Sequence, residues 1–127
     1  MKRLSLFIYF FLITVLQAAA QQSFDKTAVK SVMKRVADWQ IANPNKGAEH
    51  DDLDWTHAAL YMGMLDWAEL TEKEDSDDSY YQWLLRIGQR NHFQIGKWMY
   101  HADFIAVGQP FIDLYLKYGN KKMIAPV

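Results

Sequence analysis

The sequence predicts an all-α protein built from helical hairpins, and three observations carry that prediction. Four segments repeat apolar residues at helical spacing, strand-like alternation is nearly absent, and half-exposed helices alternate with helices that are apolar all round. Two rings of helices produce such an order, the outer helices wet on one face and the inner ones packed on both.

The first segment covers residues 25–40. Val29, Val32, Met33, Val36 and Trp39 form one stripe, with Lys26, Lys30, Lys34 and Asp38 away from it, as in an amphipathic surface helix. Asn43, Pro44, Asn45 and Gly47 end it with turn chemistry. The second segment, residues 55–71, differs in kind. Ala58, Leu60, Met62, Leu65, Trp67 and Leu70 point in every direction around the axis, which demands cover on more than one side. Asp52 or Asp54 is a suitable N-cap, and the acidic run 72–78 reads as a solvated loop. The third segment, residues 79–91, turns Tyr80, Trp83, Leu84 and Ile87 inward and Gln82, Arg86, Gln89 and Arg90 outward. The fourth, residues 103–118, is again apolar nearly all round and stops at Gly119 and Asn120. Within it Pro110 either kinks the helix or marks the first turn of one that begins later. Segments two and four align at an offset of about 47 residues, placing Ala59 on Ala106, Met64 on Phe111 and Asp66 on Asp113.

A leader precedes these helices. Lys2 and Arg3 introduce an apolar run over residues 4–16, and Ala18, Ala19 and Ala20 supply the small residues of a cleavage site. Residues 1–20 therefore read as a signal peptide and residues 21–127 as one exported domain, periplasmic or secreted. The alternative is an uncleaved anchor, although the run falls short of the ~20 residues a membrane span needs. After cleavage no membrane contact is expected. The chain has no cysteine, so neither disulfides nor thiolate metal sites are available to it. Its net charge of −1 offers no basic patch and argues against nucleic acid as a partner. Five Trp and seven Tyr provide rings that either stack on sugars or, more ordinarily, fill the core.

One stretch carries chemistry. Tyr100, His101 and Asp103 set an aromatic ring, an imidazole and a carboxylate at the start of the fourth helix. Inner helices of a two-ring toroid run parallel, so Asp54 and His57 fall on the same rim as His101 and Asp103. A concave rim with convergent polar groups and aromatic walls suits a sugar. The plainer alternative is that Asp103 caps the helix and His101 lies on a loop. A carboxylate in a first helical turn faces the positive end of the backbone dipoles, which suits it to stabilising positive charge or orienting water. His50, Asp51, Asp52, Asp54 and His57 are metal-ligand types, but their spacing matches no defined site and no metal is expected.

At these residues the sequence resembles glycoside hydrolase families 88 and 105, the unsaturated glucuronyl and rhamnogalacturonyl hydrolases. The stretch from Asp54 through Trp55, Thr56 and His57 to Met64 looks like their first inner helix. His101 and Asp103, with Ala106, Val107, Gly108, Gln109, Leu114 and Tyr115, look like the second. The resemblance covers the chain from about Val36 onward and implies an (α/α)6 barrel, of which these helices form the first part. It implies a substrate too: an oligosaccharide ending in a 4,5-unsaturated uronic acid, as polysaccharide lyases leave behind. Such enzymes hydrate the vinyl ether double bond instead of attacking the anomeric carbon, and they need no cofactor. By this resemblance Asp103 is the candidate catalytic residue, and Trp55, His57 and His101 are the candidate substrate-binding residues. Two departures follow. Phe104 stands where many relatives carry a second acid, and the family's main acid/base, further downstream, has no counterpart here. The chain on its own is therefore expected to be a fragment that does not turn over substrate. The rival expectation is an exported helical binding or structural module that covers its apolar faces with another chain.

Overall fold

The computed structural model describes residues 25–44, 51–98 and 100–127. Along the chain run α1 (Lys26–Ala42), α2 (Trp55–Asp75), α3 (Ser79–Arg90), α4 (Ala102–Tyr118) and a 3-10 turn, Lys121–Met123. No strand occurs among the described residues, and the all-α fold read from the sequence is the one observed. The leader read over residues 1–20 lies outside the described residues, as do residues 45–50 of the first turn. The chain divides into two units, Met1–Trp39 and Gln40–Val127.

Helix α1 opens at Asp25, whose carboxylate accepts a hydrogen bond from the Ala28 N–H at 3.1 Å. Lys34 and Asp38, one turn apart, pair at 2.6 Å. The stripe of Val29, Val32, Met33, Val36 and Trp39 is exposed, and Ala37 is the one buried residue of this helix.

In the second unit α2 packs against both α3 and α4. Two ion pairs give the directions. Arg90, at the end of α3, meets Asp52 just ahead of α2, so α3 runs antiparallel to α2. Lys117, at the end of α4, meets Glu72 near the end of α2, so these two run parallel. That is the inner–outer–inner order of an (α/α)6 barrel. The two inner helices begin at Trp55 and Ala102, 47 residues apart, which matches the offset read from the sequence.

Helix α2 buries His57, Ala58, Tyr61, Met64, Leu65, Trp67, Ala68 and Thr71, and α4 buries Val107, Gly108, Pro110, Phe111 and Leu114. The amphipathic α3 contributes Tyr80, Tyr81, Leu84, Leu85 and Ile87. Other apolar positions stay open on α4, where Ile105 and Leu116 are 52% and 72% exposed. Both inner helices thus cover the faces turned to their neighbours, and α4 leaves further apolar surface outside.

The end of α2 differs from the sequence reading, and the place of Pro110 is settled. Residues 72–75 belong to α2 and are not loop; Glu72 pairs with Lys117, and the buried Thr71 hydroxyl lies 3.1 Å from the Trp67 carbonyl. Ser76, in the left-handed region at φ 58°, then closes the helix with its N–H on the Glu72 carbonyl. Pro110 sits inside α4, buried, so the Ala106 carbonyl loses its usual helical donor while the helix continues. The apolar residues 123–127 turn back onto α4: Met123 is buried and Val127 approaches Gly108.

Gly88 is fixed by close approach, since a Cβ there would overlap the ring of Phe93, itself buried edge-on against Phe111 at 5.3 Å. Gly88→Ala should lower unfolding stability by about 1–3 kcal/mol through overpacking. Ser76→Gly should raise it by about 0.5–1 kcal/mol, because glycine adopts the left-handed cap without strain. Urea titration of the two variants beside the parent checks both signs.

Candidate functional site

The rim is built from the starts of α2 and α4. Asp54 has extended backbone, and its Oδ1 accepts from the Thr56 N–H at 3.0 Å and from the Thr56 hydroxyl at 2.9 Å. Of the two N-caps left open by the sequence, it is therefore the one used. Trp55 follows as the first helical residue and is exposed.

Asp52 has a different task. Both its oxygens accept from Arg90, at 2.6 and 2.7 Å, and Oδ2 also accepts from Asn91 Nδ2 at 2.8 Å. Burial works against its charge, but the Arg90 and Asn91 hydrogen bonds and the Arg90 charge outweigh that. They hold the Asp52 carboxyl below the usual carboxylate range. This bidentate pair ties the approach to α2 onto the end of α3 and so sets the height of Trp55.

His57 departs from its expected role. It is only 7% exposed, its ring is stacked on Tyr61 at 5.9 Å, and its Nδ1 is sealed from solvent without a hydrogen-bond partner. In this conformation the imidazole is part of the core beneath the rim. Burial, with the Asp52 charge added, pushes the Tyr61 hydroxyl far above its ordinary value.

At α4 the plainer alternative for Asp103 fails: the N-cap is His101, with extended backbone, and Asp103 is the second helical residue. Asp103 Oδ2 lies 3.7 Å from His101 Nδ1, and both side chains are about half exposed. Phe104 supplies no acid. Its ring packs on Gly96 and against Trp98 and His101, with centroids 5.8 and 5.2 Å away.

Because α2 and α4 run parallel, Asp54 and Trp55 lie at the same end of the unit as His101 and Asp103. The structure thus gives a half-open carboxylate beside an imidazole, with exposed aromatic rings nearby. Of the residue types once considered for a metal, His50 lies outside the described residues. Asp51 accepts from the Leu53 N–H at 2.9 Å, and Asp52 and Asp54 are engaged as above. Among the described residues no three such side chains converge. Gly96 and Trp98 were not singled out in the sequence, where the only signal was their nearness to His101.

The family model for Glycosyl Hydrolase Family 88 matches residues 12–127. This chain belongs to glycosyl hydrolase family 88. The match begins within the apolar run over residues 4–16 and continues through every described helix. Membership of family 88 makes glycoside hydrolysis the chemistry and carbohydrate the substrate class. No curated protein and no solved structure matches the chain. No helix among the described residues of this family 88 chain is long and apolar enough to cross a membrane.

The Asp52–Arg90 pair generates a pH prediction. A carboxylate whose folded pKa is depressed contributes stability above its unfolded pKa, near ~3.9, and that contribution is lost as pH falls through the folded value. Asp52→Asn should therefore lower stability at pH 7 by about 1 kcal/mol, a modest figure because Arg90 is half exposed. The difference from the parent should shrink below about pH 4. Thermal melts of both proteins from pH 7 to pH 2.5 check this.

Proposed function

We propose that this rim binds oligosaccharides ending in a 4,5-unsaturated uronic acid, with Asp103 as a catalytic carboxylate and His101 and Trp55 as substrate-binding residues. The observation that carries the reading is the half-exposed Asp103 carboxylate, 3.7 Å from His101 Nδ1 in the first turn of an inner helix. An acid other than Asp103 protonates C4 of the vinyl ether and leaves positive charge on C5, next to the ring oxygen. Water adds there with loss of a proton, and the resulting hemiketal opens and releases the sugar. A carboxylate at a helix start is placed to stabilise that charge and to accept the proton of the attacking water. Asp54, the other carboxylate at this end, is committed to the Thr56 cap and is not assigned the donor's part.

The likeness of the two inner-helix starts to unsaturated uronyl hydrolases supports the choice of substrate, and family membership supports glycoside hydrolysis in general. His57 contributes from below, holding the first turn of α2 on Tyr61. The signal-peptide pattern over residues 1–20 supports a reaction outside the cytoplasm. Pectin-derived and glycosaminoglycan-derived ends share the unsaturated ring, which is the chemistry recognised here.

The test follows the loss of ultraviolet absorbance of an unsaturated uronyl disaccharide. It is run on this chain and on the product of the uninterrupted reading frame that contains it. Where turnover is seen, Asp103→Asn should lower kcat by about 10²–10⁴-fold, with far-UV circular dichroism unchanged. An unaltered kcat in Asp103→Asn would remove Asp103 from the mechanism, and no turnover in either protein would remove the activity.

A further inference from the structure

We propose that Trp98 is a saccharide-stacking platform of this rim, holding the apolar face of a pyranose ring beside Asp103. The proposal rests on the reading of the site as a carbohydrate site and adds to it a residue that neither the family resemblance nor the sequence pattern singled out.

Trp98 is 64% exposed, an unusual position for a side chain with so much apolar surface to bury. Yet it is not loose. Its ring lies 5.4 Å from His101 and 5.8 Å from Phe104, and those two rings are 5.2 Å apart, so each of the three touches both others. The backbone adds a second restraint, because the His101 N–H donates to the Trp98 carbonyl at 3.2 Å and closes a turn between them.

A third restraint comes from Gly96. Its φ of +114° is one that glycine alone adopts freely, and a Cβ there would overlap the Phe104 ring. Phe104 belongs to the same helical turn as Asp103. The wedge of Phe104 into Gly96 therefore pins the loop that carries Trp98 to the turn that carries the carboxylate. This gives Phe104 a physical role: it is a positioning residue that holds an aromatic wall beside the carboxylate.

What remains open on Trp98 is a flat, apolar surface within reach of a carboxylate and an imidazole. Pyranose rings present that combination in reverse, with a C–H face for stacking and hydroxyls at the edge for hydrogen bonds. Because the ring is already held, little side-chain freedom is lost on binding, so its contribution is not cancelled by ordering.

The experiment uses the indole N–H signals of this chain's five tryptophans in a ¹H–¹⁵N spectrum, titrated with an unsaturated uronyl disaccharide. Trp98→Phe identifies the Trp98 signal by its loss. The Trp98 signal should move saturably, together with the amides of His101 and Asp103, while the buried Trp67 stays still. Trp98→Ala should weaken binding about five- to tenfold, and Trp98→Phe, which keeps a ring, should retain most of it. Trp98 is exposed, so neither variant should disturb the fold. If His101 and Asp103 respond but Trp98 does not, or if Trp98→Ala binds like the parent, the platform is wrong and the site reading stands. If none of the three responds, either in this chain or in the product of the uninterrupted reading frame that contains it, both are overturned.

Discussion

Helix α2 carries too much apolar surface for one neighbour, and the structure resolves this by packing it against α3 and α4 at once. Burying a large apolar side chain is worth about 1.5–3 kcal/mol, and Tyr61, Leu65, Phe111 and Leu114 all lie in this layer. The Glu72–Lys117 pair is partly solvated, and such pairs contribute about 0–1 kcal/mol. Packing therefore holds the helices together, while the ion pair, with Lys117 4.1 Å above the Tyr81 ring, records which ends meet. Once α2 and α4 are parallel neighbours, their starts must share one end of the unit. The placing of every candidate site residue follows from that.

At the rim the division of labour is set by what each polar group is already doing. Asp54 closes a helix and Asp52 binds Arg90, so neither has its full complement of lone pairs for a ligand. His57 has been drawn into the core by the stacking on Tyr61. Asp103 and His101 face each other at 3.7 Å, longer than a formed hydrogen bond, and both stay open to solvent. Of these groups, Asp103 and His101 are the pair the fold leaves open to solvent. Phe104, Gly96 and Trp98 then bring aromatic surface to its side.

Much of this was legible in the sequence because it is local or periodic. The spacing of Tyr80, Leu84 and Ile87 marked α3, and the 47-residue offset anticipated two equivalent helices starting at Trp55 and Ala102. The Asp54 cap and the Gly119 stop depend on neighbours a few residues away. What stayed hidden depends on distant partners. Asp52 meets Arg90 only after α3 has folded back, so its role could not be separated from that of Asp54 by composition. The extra turn of α2 is supported by Lys117, 45 residues further on. His57 looked like a rim ligand because helical position alone does not tell which side of a first turn is covered. Phe104 looked like a lost acid because nothing in sequence shows the bare α-carbon of Gly96 beneath its ring.

The central claim is that the two inner helices start together, and their relative direction tests it most directly. The chain has no native cysteine, so paired cysteines can be introduced and spin-labelled without background. Ala59 with Ala102, and Lys73 with Ala102, are exposed positions on α2 and α4. Electron–electron distance measurements should give a short separation for the first pair, near the ~10 Å interaxial distance plus label arms. The second pair should be far longer, since Lys73 lies about 27 Å along α2 from its start. The reverse order, with Lys73 nearer Ala102 than Ala59 is, would make α2 and α4 antiparallel and leave no shared rim.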